Sequence, residues 1–129
     1  MKLNLSLDIS ILEYKITPVF KTIKISRKKQ EVFDKIIYEF NCQPGKIIKG
    51  IITKRDIEAT IPTLESWGVD FYEHITNAIV SQIIINTNEI LGIQLNHFDF
   101  KEFVKENQDM FDKFINELKT VVTKYKNQC

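Results

Sequence analysis

Asp70, Glu73 and His74 lie close together in the stretch GVDFYEHITN, residues 68 to 77. Two carboxylates and an imidazole are the usual materials of proton transfer. The same spacing also starts a helix. The Asp70 side chain can accept from the N–H of Glu73, and Glu73 can reach back to the N–H of Asp70, at the positive end of the helix dipole. The pattern recurs at Asp99-Phe100-Lys101-Glu102, again just ahead of an apolar periodic segment. Two such patterns, each opening a segment of that kind, read as helix starts. His74 then shares a polar stripe with Asn77 and Ser81, as a surface or boundary residue.

Other chemistry is sparse. The soft metal ligands are Cys42, His74, His97 and Cys129, and none stands at C-x-x-C, H-x-x-x-H or H-E-x-x-H spacing. Cys42 follows an apolar run and precedes Pro44-Gly45, with no nucleophile signature around it, so it reads as buried or capping. QPGKIIKG lacks the Gly-Lys-Ser/Thr element of a phosphate loop, and glycine occurs only at positions 45, 50, 68 and 92. No catalytic residue, metal or cofactor is assigned on these grounds, and a non-enzymatic protein is expected.

Charge is more informative. The formal net charge is +1, but residues 1–65 carry twelve basic and eight acidic side chains, and residues 66–129 carry six and nine. The basic half offers Arg27, Lys28, Lys29, Lys46, Lys49, Lys54 and Arg55, with Lys21 and Lys24 upstream, as contacts for a nucleic-acid backbone. The acidic half offers Asp70, Glu73, Asp99, Glu102, Glu106, Asp109 and Asp112, which together could mimic phosphate and cover a basic partner surface. The favoured expectation is a small binding protein that covers another macromolecule, such as an immunity protein or inhibitor of a toxin or nuclease. Nucleic-acid binding through the basic half is the alternative.

The elements that must carry these groups are set by hydrophobic period. At 129 residues, with 43% hydrophobic side chains, the chain is expected to form a single globular domain, 1–129, with its own core. LNLSLDISI, residues 3 to 11, alternates strictly and reads as a strand. ITPVFKTIKI, 16 to 25, reads as a second, its Pro18 suited to an edge or a strand start. The link Glu13-Tyr14-Lys15 has no turn residue to mark a hairpin. Ser26 followed by Val32, Ile36 and Phe40 at steps of four predicts a helix ending at Pro44-Gly45. KIIKGIIT reads as a strand or loop, and 55–67 as a helix broken at Pro62 and closed by Gly68. Trp67, Phe71 and Tyr72 read as core.

Downstream, the spacing predicts a helix from Asp70 to about residue 86 and then a short extended piece. A β-branched hairpin turning at NTNE is the rival over residues 78–95. Phe100 to Tyr125 form a long apolar stripe, weakest at Glu106-Asn107-Gln108-Asp109. The expected fold is α+β: a small N-terminal antiparallel β element packed by three to four helices, with a long C-terminal helix. That phenylalanine-rich helix could also serve a homodimer. No apolar run approaches membrane-spanning length, the N-terminus lacks a signal-peptide core, and no disulfide is expected, so a cytoplasmic location is anticipated.

Overall fold

The structure is a computed structural model and describes residues 10–43 and 47–126. Residues 3–9 of the strand predicted over 3–11, together with Lys46 and Cys129, lie outside the described residues. The fold is α+β, a three-stranded antiparallel sheet followed by helices.

Strand β1, Ser10–Ile25, runs without a turn through Glu13-Tyr14-Lys15 and pairs with β2, Lys28–Gln43. Strand β3, Ile48–Thr53, adds to the other side of β2. The hairpin turn is therefore at Ser26-Arg27, where the sequence predicts a helix start. Ser26 takes a left-handed φ of 59°, the positive φ that the first central position of a tight type II′ turn requires. Pro18 lies on β1, which is an edge strand, where its missing donor costs no ladder bond.

The segment 27–41, predicted as a helix capped by Ser26, is strand from Lys28 onward, for an identifiable reason. A spacing of four is common to both periods, since it is twice the strand repeat and close to one helical turn. Ile36, Tyr38 and Phe40, with Cys42 beyond them, alternate toward the core. Asp34 is the extra residue of a β-bulge between the pairs Val19↔Lys35 and Phe20↔Phe33. The bulge puts Phe33 and Ile36 on the same face at a spacing of three, which imitates a helix.

After β3, a reciprocal pair of bonds opens the first helical stretch: Thr53 N–H donates to Asp56 Oδ2 at 2.9 Å, and Asp56 N–H to Thr53 Oγ1 at 3.1 Å. A π-helical segment, Asp56–Thr60, passes into α1, Ile61–Ser66, with Pro62 accommodated in its first turn. Gly68, at φ 74°, closes α1: its N–H reaches Glu65 O, and Val69 N–H reaches Leu64 O. Trp67 sits just past the last helical residue and is 72% exposed, whereas Tyr72 is buried and Phe71 half-buried.

Helix α2 spans Phe71–Leu91, longer than the sequence pattern predicts, and the hairpin at NTNE does not form. β-Branched residues cost a helix only tenths of a kcal/mol each, and Ile75, Ile79, Ile83 and Ile84 recover more by burial. Gly92, at φ 64°, ends α2, and the Asn88 side chain then clamps the extended return through both the N–H and the C=O of Leu95. Helix α3, Lys101–Glu106, breaks at Asn107, whose Nδ2 donates to Phe103 O, and α4 spans Gln108–Lys126.

The core lies between the sheet and the helices. Phe111, Phe114, Leu118, Val122 and Tyr125 form the buried stripe of α4. Phe114 meets Phe40 edge-on at 4.6 Å and Tyr14 at 5.4 Å, and Tyr125 stacks on Phe33 at 4.7 Å. Helix α4 therefore runs along the hairpin from its base toward its turn. Across the ladder, Tyr38 lies opposite Gly50, and a Cβ at Gly50 would overlap the Tyr38 ring.

This packing predicts two outcomes. Gly50→Ala lowers stability by about 1–3 kcal/mol, the cost of overpacking, and the loss shrinks when Tyr38→Ala is made first; urea melts of the single and double variants check both. Burial pushes the Tyr72 phenol up to about 12, reinforced by Glu65 and Asp70, and Tyr14 to about 12 by burial and then by the Glu117 carboxylate it donates to. The folded chain thus keeps protons that the unfolded chain releases near 10.0. Stability is full below that value and falls as pH rises toward about 12. A urea midpoint that stays level across this window would contradict the assignment.

Candidate functional site

Beyond the Phe20–Phe33 pair the hairpin leaves the core. Every residue from Lys21 to Glu31 is exposed except Ile23, which is half-buried. This arm extends roughly 15–20 Å at the rise of a strand. It carries Lys21, Lys24, Arg27, Lys28 and Lys29 against a single carboxylate, Glu31.

The register decides how these cations meet. Lys24 pairs directly with Lys29, and Ile25 with Lys28. By strand alternation Lys24 and Lys29 share the face that carries Phe20 and Phe33, while Lys21, Ile23, Ile25 and Lys28 share the other. Like charges directly opposite each other destabilise a strand pair. Among the described residues, Lys24, Arg27, Lys28 and Lys29 have no ion pair. Lys21 and Lys35 both lie 3.9 Å from the Asp34 carboxylate at the bulge, so ion pairing reaches only the root of the arm.

The remaining basic residues lie apart from the arm. Lys49 pairs with Glu39 at 3.3 Å toward the base of the sheet. Lys54 and Arg55 come directly after Thr53, whose ladder partner is Lys35, roughly 20 Å along β2 from Lys28. Strand pairing thus gathers Arg27, Lys28 and Lys29 with Lys24 and Lys21, and separates them from Lys49, Lys54 and Arg55.

The acidic residues divide as well. Asp70, Glu73 and Asp112 line one shallow cleft of about 410 Å³ between α2 and α4, together with Lys119. Asp70 caps α2 by accepting from Tyr72 N–H at 2.9 Å, rather than from the Glu73 N–H that a capping box would use, and Asp112 accepts from Gln108 Nε2 at 2.8 Å. Asp99, Glu102, Glu106 and Asp109 do not line this cleft. Asp99 turns back to accept from Asn96 N–H, leaving Phe100 at the start of α3 without a side-chain cap. The capping box expected at Asp99 and Glu102 is therefore replaced by a turn one step earlier.

Cysteine and histidine supply little reactivity. Cys42 is buried, and burial pushes its thiol up to about 11, so the nucleophilic thiolate is scarce at neutral pH. His74 is exposed in the first turns of α2. His97 lies 3.2 Å from Ser81 Oγ through its Nε2. Among the described residues no group of three or more His, Cys, Asp or Glu is placed to hold a metal ion, and no helix is long and apolar enough to cross a membrane.

Sequence reasoning misses the turn at Ser26-Arg27 and with it the pairing of Lys24 with Lys29. The available signal is the alternation of Thr22, Ile23, Lys24 and Ile25 before Ser26, continued by polar alternation after it. Compared with protein-family models, curated proteins and solved structures, the chain matches none.

Proposed function

We propose that the protein binds nucleic acid without catalysis, through the basic arm of its hairpin. The observation that carries this reading is the direct opposition of Lys24 and Lys29 on an exposed ribbon, with no ion pair to either among the described residues. A hairpin selected only for stability gains by placing opposite charges there. A file of phosphates supplies the missing counter-charge and releases its own counterions on binding.

The alternative reading, cover for a protein partner such as a toxin or nuclease, has support from the three carboxylates Asp70, Glu73 and Asp112 in one cleft. Lys119 stands in that cleft, and Asp70 is already engaged as a cap, so less free negative charge faces outward than the sequence suggests.

The test is the salt dependence of binding to mixed nucleic acid. Four neutralised phosphates give a slope of log affinity against log salt of about −3 to −4, and Lys24→Glu flattens it. The same substitution makes the cross-strand pair attractive and raises stability by ~0.2–1 kcal/mol. Gain of stability with loss of binding is the expected signature. Binding that is absent at low salt, or indifferent to Lys24→Glu, overturns the reading. A protein retained equally with and without nuclease in a pulldown would favour the acidic cleft.

A further inference from the structure

We infer, resting on the arm as a nucleic-acid contact, that its ligand is B-form double-stranded DNA, with the arm lying in the major groove.

Three features of the arm select this ligand over other nucleic acids. The first is the absence of rings. Single-strand binding draws on bases stacked against aromatic side chains, about 1–3 kcal/mol per base. The arm from Lys21 to Glu31 contains no aromatic residue. Phe20, at its root, is 43% exposed but is engaged edge-on with Phe33 at 6.4 Å and Tyr125 at 5.6 Å, so the one ring near the arm belongs to the aromatic cluster that ends the core.

The second is the distribution of charge. Cations occupy both faces of the ribbon, Lys24 and Lys29 on one and Lys21 and Lys28 on the other, with Arg27 at the turn. A single strand presents one file of phosphates. A groove presents two, one on each wall, and only there do both faces of a ribbon meet phosphate at once.

The third is size. Two strands spaced about 5 Å apart, with side chains on both faces, need a channel on the order of 10 Å wide. The major groove of B-form DNA, about 12 Å wide, admits a two-stranded ribbon without distortion, whereas the minor groove, about 6 Å, must be widened to take one. The major groove of A-form RNA is too narrow and deep for side chains to read. Ile25, 56% exposed beside the turn, is then the apolar tip available to thymine methyl groups on the groove floor.

The experiment measures anisotropy of the full chain with fluorescent probes of one mixed sequence: duplex DNA, each of its single strands, and duplex RNA. The expected result is duplex DNA bound at least about tenfold tighter than the others, with the preference lost in Lys24→Gln/Lys29→Gln. That double variant relieves a like-charge pair, so its fold is not at risk, and its thermal melt confirms this. Equal or tighter binding of a single strand or of duplex RNA overturns the inference while leaving the arm as the contact. No binding to any probe overturns both the inference and the reading beneath it.

Discussion

A difference in length between two packed elements governs this structure. The hairpin strands run for sixteen residues each, roughly 50 Å at the strand rise. Helix α4, which covers them, runs for nineteen residues, only about 28 Å at the helix rise. Contact starts at Phe40 with Phe111 and Phe114 and ends where Tyr125 stacks on Phe33. No described element is long enough to cover the hairpin beyond that point. The arm is the part of the hairpin that outruns the helix, and its composition changes there from aromatic to basic.

The bulge at Asp34 stands at the same boundary. It increases the local twist of the pair, separates the covered part of β2 from the uncovered part, and places a carboxylate between Lys21 and Lys35. Lys49, Lys35 and Lys21 are ion-paired up to the end of the core, and among the described residues the cations beyond it are not. Backbone pairing from Phe20↔Phe33 out to Ile25↔Lys28 holds the arm in shape. Apart from Lys21, its cations make no ion pair among the described residues, which is the condition for meeting an external anion.

Much of the helical half is legible in the sequence, because its signals are local. Asp70 caps α2, Gly68 closes α1, and the stripe from Phe111 to Tyr125 is buried as its spacing requires. The end of α2 is harder to read, since its isoleucines favour strands intrinsically and only burial against the core overrides that preference. The sheet is obscured where its signals are ambiguous. Val32, Ile36 and Phe40 fit either period, the bulge supplies a false helical spacing, and Ser26-Arg27 lacks the Gly or Asn that usually marks a two-residue turn. The cations of the candidate site are visible as residue types. That Lys24 faces Lys29 depends on the register of a hairpin whose second strand carries the spacing of a helix.

The same ambiguity shows why the electrostatics do not decide between the two conformations. As a helix opened by Ser26, the segment would set Arg27, Lys28 and Lys29 against the positive end of a helix dipole, an arrangement that costs tenths of a kcal/mol for each exposed charge. As a hairpin it escapes the dipole but creates the repulsion between Lys24 and Lys29. Neither conformation relieves all of the repulsion among these cations, so local charge does not choose the fold. Burial of Phe33, Ile36 and Phe40 chooses it: all three are essentially inaccessible to solvent, and such burial is worth about 1.5–3 kcal/mol per side chain. The core can therefore tolerate a charge pattern that weakens the arm, and the polyanion proposed as its ligand is what would remove that opposition to the fold.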